Sequence, residues 1–182
     1  MADAFATLVS LACHDLRTPL ATVQGFAKTM LRIEGMDEEK RVRYLGLIDS
    51  ASDELAELLD VVSLAARIEG GRYDPILREV DSFELAPAGA TGAGATVSVD
   101  PEAVSRAIAA LERAAARHGG VEISSSVDGA RIVLEPVVAE AAPVVLGVDA
   151  KDLGAAVAVR LIRALGGEVA LDGERLVVQL PS

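Results

Sequence analysis

The stretch LACHDLRTPLATVQGF, residues Leu11–Phe26, decides the fold of the N-terminal part of this chain. Apolar residues recur along it, and beyond it, at alternating intervals of four and three: Leu16, Leu20, Val23, Ala27 and Met30. This is the spacing of a heptad repeat, in which one apolar seam of a helix is buried against partner helices. The stretch therefore predicts an amphipathic helix, although polar residues and a proline interrupt it.

A second apolar series with the same alternation follows: Leu45, Ile48, Ser52, Leu55, Leu59 and Val62. Between the two series, Gly35 is suited to end the first helix and Asp37 to cap the next. The pattern predicts an antiparallel helical hairpin. Because each helix also carries leucines beside its seam, such as Leu8 and Leu58, one hairpin cannot cover all the apolar surface. We therefore expect two copies to form a four-helix bundle, that is, a homodimer.

The polar residues of the opening stretch fall on the side of the helix away from the seam. His14 and Thr18 are four residues apart and share one face, with Asp15 beside them. Pro19 cannot donate a backbone hydrogen bond to the Asp15 carbonyl, so a kink is expected after the histidine. Proline in a helix interior costs about 3 kcal/mol, which argues for a function here rather than for an ordinary surface histidine.

These residues resemble a known family. The segment His14–Leu20, HDLRTPL, is similar to the H-box of bacterial histidine kinases, which lies on the first helix of their dimerisation and phosphotransfer hairpin. The end of the second series, LAARIEGGRY, is also similar to the corresponding segment of that family. The resemblance implies a phosphoaccepting hairpin over residues 1–72.

The same resemblance implies roles for individual residues. His14 would be the phosphoacceptor, and Asp15 would hydrogen-bond its other ring nitrogen, fixing the tautomer. Thr18 would position a water for hydrolysis of a partner's acyl phosphate. Arg17 would support the phosphate charge or remain a solvated helix residue, and Pro19 would support the site through the backbone.

Residues 73–182 predict a small α/β sandwich. The segment 86–96, APAGATGAGAT, is rich in small residues and indicates a flexible linker. Beyond it, TVSVD predicts a strand, and Asp100 with Pro101 begins a helix. Hairpin turns are predicted at Asp128-Gly129 and Asp172-Gly173, with a second helix between the two hairpins. The expected fold class is α+β, a helical hairpin followed by a sandwich that resembles the ATP-binding domain of histidine kinases.

The residues that bind nucleotide in that family are missing from the resembling segment. Its magnesium-holding asparagines would fall at Ala110 and Ala114, and alanine side chains cannot ligate Mg²⁺. The glycine-rich boxes of the family are lost as well, with only Gly154 retained in KDLGAAVAV. His118 is assigned no role. We therefore expect no cofactor and no metal bound by this chain, and Mg²⁺ is expected on a response-regulator partner.

The resulting prediction is a histidine phosphotransferase similar to the ChpT-like proteins. It would move phosphoryl groups between response-regulator aspartates through His14 without binding ATP. Three alternatives stay open: a response-regulator phosphatase using Asp15 and Thr18, an active sensor kinase with an atypical ATP site, and a non-catalytic dimeric scaffold.

Composition limits the partners and the compartment. The 182-residue chain has a formal net charge of −11, which argues against nucleic acid and an anionic membrane surface. A single cysteine, Cys13, excludes an internal disulfide and suits a reducing compartment. With no signal peptide or membrane-length apolar run, a cytoplasmic protein is expected. The expected partners are a second copy, receiver domains, and an upstream hybrid or sensor kinase.

Overall fold

The computed structural model describes the backbone of residues 2–181 and the side chains of residues 6–181. The chain divides into two compact units, Met1–Ser63 and Leu64–Ser182. The first unit is helical. The described residues of the second unit include a five-stranded sheet, a two-stranded sheet, three α-helices that begin within it and a short 3₁₀ helix, Ser82–Leu85. The predicted class, a helical hairpin followed by an α/β domain, is confirmed.

The hairpin consists of α1, Ala2–Arg32, and α2, Glu38–Glu69. The turn between them contains Gly35 at a φ of 71°, a left-handed conformation that favours glycine. Asp37 then caps α2, because its Oδ1 accepts a 2.8 Å hydrogen bond from the Lys40 backbone N–H. α1 continues through Pro19 as one helix.

Within the first unit, the hairpin buries the line of residues next to the predicted seam. Leu8, Ala12 and Pro19 of α1 and Ala51 of α2 are buried. The ring centroids of Phe26 and Tyr44 lie 5.0 Å apart. This contact places Phe26 of α1 opposite Tyr44 of α2 in the antiparallel pair. Part of the seam stays exposed in the single chain. Leu20, Leu45 and Leu59, together with Val9, which continues the α1 series towards the N-terminus, are 44% to 56% exposed. Other members are partly buried: Leu16, Val23, Ile48 and Leu55.

The second unit is organised around a five-stranded sheet with strand order β2-β4-β5-β7-β6. Its strands are β2 Thr91–Gly94, β4 Ser124–Gly129, β5 Arg131–Glu135, β6 Glu168–Asp172 and β7 Arg175–Gln179. A separate antiparallel pair joins β1, Arg78–Asp81, to β3, Thr96–Val99. The β4–β5 and β6–β7 hairpins turn at Gly129 and Gly173, as predicted.

The prediction of a flexible linker over residues 86–96 is wrong. Thr91–Gly94 forms β2, which pairs in parallel with β4 at the edge of the larger sheet. The composition TGAG is a poor strand former, so local propensity gives no sign of it. At Gly92 the φ is 105° and any side chain would meet the Val127 backbone, so the strand needs glycine to approach its neighbour.

Two long helices cover the sheet. α3, Pro101–Gly119, is capped by Asp100 and ends at Gly120 in the left-handed conformation. α5, Leu153–Ala164, is capped by Asp152, and a single-turn α4, Ala142–Val145, precedes it. The core between the helices and the sheet consists of aliphatic side chains, including Ile108, Leu111 and Leu161, as expected of a chain poor in aromatics.

The last turns of α2 belong to the second unit. Leu64 and Ile68 pack against its core, and Glu69 Oε1 accepts a 3.0 Å bond from Arg160 Nε. Tyr73 Oη lies 3.5 Å from Asp100 Oδ2. Burial, with the neighbouring Asp100 carboxylate, raises the pKa of Tyr73 to about 12. These contacts tie residues 64–73 to the α/β core.

Candidate phosphoacceptor site

His14 lies on α1 with its side chain 79% exposed. Its Nδ1 atom lies 3.1 Å from Oδ1 of Asp15, whose side chain is 27% exposed. A carboxylate only accepts hydrogen bonds, so this contact favours the proton on Nδ1. The Nε2 lone pair is then free to act as a nucleophile toward solvent or a docked partner.

Thr18 and Pro19 complete the turn that follows the histidine. Thr18 is exposed one turn along α1 from His14, and its carbonyl accepts a 3.2 Å bond from Thr22 Oγ1. Pro19 is buried, so its ring is part of the hairpin packing as well as a break in the backbone ladder. Pro19 thus packs on the buried side of this turn, and Thr18 is accessible on its solvent-facing side.

A shallow groove runs along α1 directly beyond the histidine. The following residues line it: Arg17, Thr18, Ala21, Thr22, Gly25, Phe26 and Thr29. Most of these side chains are small, and Arg17 at one end is exposed and has no ion pair among the described residues. The groove offers a partner close approach to the helix backbone next to the exposed imidazole.

The two positions of α3 at which the resemblance to histidine kinases placed magnesium-holding asparagines carry alanine. Ala114 is completely buried in the core, and Ala110 is half-buried between α3 and α5. A β-carbon built on Gly154 would lie 3.4 Å from the Ala110 Cβ and 3.3 Å from Asp152 Oδ1. A side chain at position 154 would therefore be crowded against α3, and glycine lets the two helices lie close together here. Among residues 6–181, no group of three or more His, Cys, Asp or Glu side chains could hold a metal ion.

Two features of the second unit were missed in the sequence. Asp152 is 8% exposed and caps α5, and its Oδ2 lies 3.4 Å from Arg117 Nη1 and 3.5 Å from His118 Nε2. The cap could be recognised from an Asp before a helix, but its partners are distant in sequence. A small polar cavity also lies between Glu112, Glu135 and the serines of β4, Ser124–Ser126.

Comparisons with known proteins agree with this geometry. The His Kinase A (phospho-acceptor) domain family matches residues 6–71. The probable sensor histidine kinase TcrY of Mycobacterium tuberculosis is 35% identical over 79 residues, which are 43% of this chain and 16% of that protein. The chain thus spans less than a fifth of the length of this relative.

The structural comparison extends over both units. The histidine kinase AdeS of Acinetobacter baumannii matches with a TM-score of 0.59 and 19% sequence identity, covering 91% of this chain and 94% of that one. At 19% identity, this structural match shows a likeness of fold and nothing more specific. No helix among the described residues is long and apolar enough to cross a membrane. Residues 6–71 are thus similar to the phospho-acceptor domain of histidine kinases, and the fold of the chain resembles that of AdeS.

Proposed function

We propose that this protein is a histidine phosphotransferase of two-component signalling that relays phosphoryl groups between receiver domains through His14. The observation that carries the proposal is the exposed His14 imidazole, held through Nδ1 by Asp15, on a matched phospho-acceptor hairpin. In the forward step, Nε2 bonds to phosphorus and the receiver's aspartyl oxygen leaves as a carboxylate. The reverse step on a second receiver restores the neutral imidazole.

Asp15 supports the step electrostatically. When Nε2 bonds to phosphorus, positive charge develops on the ring, and the carboxylate 3.1 Å from Nδ1 stabilises it. Phosphoryl transfer needs mainly positioning and charge stabilisation, so few residues of this chain are required. Mg²⁺ would come with the receiver, whose own carboxylates hold it.

The groove on α1 supports a receiver domain as the partner. It begins at Arg17 and Thr18, next to His14, and its small side chains leave the helix backbone accessible. Arg17 has no competing ion pair with any side chain of residues 6–181, so its guanidinium is available to the phosphoryl group or to a receiver carboxylate.

Packing between α3 and α5 supports transfer without nucleotide. The side chains of Ala110 and Ala114 offer no oxygen or nitrogen ligand, and even one added carbon at Gly154 would be crowded against Ala110, so little space separates the helices. ATP binding there would require α5 to move away from α3. That movement would expose side chains of α5 that are almost completely buried: Leu153, Ala155, Ala156 and Val157.

The open seam of the hairpin supports a homodimer. Val9 and Leu20 on α1 and Leu45 and Leu59 on α2 are large apolar side chains that remain 44% to 56% exposed in the single chain. Their exposure in a single chain is costly in water, and a second hairpin would cover them.

The decisive experiment follows radiolabelled phosphate. The protein is mixed with γ-labelled ATP and Mg²⁺, alone and with a catalytic amount of an active kinase plus its receiver, and His14→Ala serves as the control. We expect acid-labile label on the wild-type protein only in the mixture that contains the kinase and the receiver. The His14→Ala variant should carry no label in either mixture. Label on His14 with ATP alone would instead identify an active kinase.

A response-regulator phosphatase is the second candidate. It is favoured by the position of Thr18, exposed at the start of the groove and one turn from His14. In that case the receiver would lose phosphate faster, no label would appear on His14, and Thr18→Ala would abolish the effect. Receiver binding that survives His14→Ala without any chemical consequence would identify a scaffold.

A further inference from the structure

The carboxylate of Asp152 is held between the start of α5 and the end of α3, and its side chain is only 9% exposed. Its Oδ1 accepts a 3.0 Å hydrogen bond from the Ala155 N–H, which caps α5. Its Oδ2 lies 3.4 Å from Arg117 Nη1 and 3.5 Å from His118 Nε2, two basic side chains in the last turn of α3. The positive end of a helix dipole and two basic side chains thus surround one buried negative charge.

Asp100, the cap of α3, shows what capping alone requires in this unit. Its Oδ1 accepts a 3.2 Å bond from the Ala103 N–H. Its Oδ2 accepts a 3.2 Å bond from the Ile76 N–H and lies 3.5 Å from Tyr73 Oη. All these donors are neutral, and Asp100 forms no ion pair with any side chain of residues 6–181. Capping therefore does not need basic side chains, and the pair of them at Asp152 has another cause.

The same place carries hydrogen-bond donors that the carboxylate does not satisfy. The backbone N–H groups of Leu153 and Gly154, in the first turn of α5, have no partner among the described residues. His118 Nε2 is shielded from solvent and also forms no hydrogen bond there. Position 154 has no side chain, and a Cβ built on it would lie 3.3 Å from Asp152 Oδ1. Glycine thus leaves room for an anionic group against the backbone of α5.

These donors suit a phosphate group. The N-terminus of a helix binds phosphate through its free N–H groups and its dipole, and a guanidinium pairs with phosphate oxygens. A tetrahedral phosphate presents more oxygens, in more directions, than a planar carboxylate, so it can reach donors that Asp152 leaves free. Because the chain has a formal net charge of −11, its surface as a whole repels anions. The attraction for an anion is therefore confined to this place.

We propose that the Asp152 carboxylate is a built-in anion that occupies a phosphate site formed by the first turn of α5, Arg117 and His118, and that it excludes phosphate-bearing ligands from this site. This inference rests on the proposed function, in which phosphate reaches His14 from a receiver and not from a nucleotide. A ligand phosphate would have to displace Asp152, because two negative groups cannot share one buried set of donors without a large electrostatic cost. Since the carboxylate is part of the chain, it competes with every ligand at a high effective concentration.

The test removes the carboxylate and measures whether a phosphate site is uncovered. Binding of pyrophosphate to the full chain is measured by isothermal titration calorimetry, at constant ionic strength, for the wild type, Asp152→Gly and the control Asp149→Gly. Glycine is a tolerated helix cap, and Asp152→Ser, which keeps a capping hydroxyl, replaces the glycine variant if urea denaturation shows it to be unfolded. Asp149 pairs with Lys151 at 2.7 Å and does not cap α5, so the control changes the net charge equally. A further variant adds Arg117→Ala to Asp152→Gly.

We expect Asp152→Gly to bind pyrophosphate at least about tenfold more tightly than the wild type, and Arg117→Ala to remove most of this gain. The control should bind as weakly as the wild type. No gain in a folded Asp152 variant would overturn the inference, and so would a gain that Arg117→Ala leaves intact. An equal gain in Asp149→Gly would assign the effect to net charge and overturn it as well. All these outcomes leave the phosphotransfer function standing, because that function is judged by whether wild-type His14 accepts label from a receiver or from ATP alone.

Discussion

The Nδ1 atom of His14 and the Oδ1 atom of Asp15 lie 3.1 Å apart on consecutive residues of α1. Adjacent residues on a helix point about 100° apart, so their side chains meet only when both turn toward each other. Here the carboxylate orients an imidazole that is otherwise surrounded by solvent. This pair is the smallest unit of the site that can be tested by substitution.

Asp15→Ala should slow phosphoryl transfer to His14 by about 100-fold, because the ring loses the group that fixes its tautomer and stabilises its developing charge. The initial rate of label transfer from a phosphorylated receiver is the measurement. Asp15→Asn, whose amide oxygen can still accept from Nδ1–H, should be intermediate. Full activity of Asp15→Ala would show that Asp15 plays no part in orienting the imidazole.

Leu20→Glu combined with Leu59→Glu should convert the expected dimer to a monomer, because charges would replace apolar side chains on the open seam. Sedimentation equilibrium at micromolar concentration measures the mass. Val148→Glu is the control, since Val148 is 79% exposed and lies in the second unit. A wild-type chain that sediments as a monomer would contradict the prediction directly.

Asp152→Ala should lower the free energy of unfolding by about 1–2 kcal/mol, mostly through loss of the cap on α5. The ion pair with Arg117 adds little, because that arginine is 69% exposed. Urea denaturation compares the variant with Asp152→Asn, which can still cap the helix and should lose less. Equal losses in the two variants would mean that the charge, and not the cap, stabilises this end of α5.

Ala114→Asn should destabilise the protein by about 3 kcal/mol, because an amide would be placed in a fully buried position without a partner. It should not create nucleotide binding. Ala110→Asn, at a half-buried position, should cost less. Thermal unfolding with and without ATP–Mg²⁺ gives both results. A rise in melting temperature with nucleotide in either variant would show that α5 can move away from α3.

Stability should fall between about pH 10 and pH 12 through Tyr73. Because the folded pKa is raised from 10.0 to about 12, the native state keeps the phenol protonated where the unfolded chain already releases the proton. The contribution of Tyr73 is therefore complete below pH 10 and is lost as the pH approaches 12. Tyr73→Phe should remove this part of the alkaline loss, as measured by urea denaturation across the range. An identical pH profile in the variant would exclude Tyr73 as its source.

The sequence by itself determined the elements that depend on local periodicity and local chemistry. The heptad spacing predicted α1 and α2, Asp37 and Asp100 marked helix starts, and glycines at 129 and 173 marked the hairpin turns. The motif around His14 predicted a phosphoacceptor segment, and this segment lies within the residues that the family model matches. These features can be recognised in the sequence because each depends on residues that are close together along the chain.

Only the tertiary structure decided features that depend on contacts between distant segments. β2 exists because residues 91–94 pair with β4, although their composition does not favour a strand. Asp152 meets Arg117 and His118 only after α5 packs on α3. Members of the seam that the heptads define, such as Leu20 and Leu59, remain about half exposed, whereas the neighbouring line through Leu8, Ala12 and Pro19 is buried. Which of two adjacent apolar lines faces the other helix depends on how the whole surfaces pack, and spacing along one helix does not specify that.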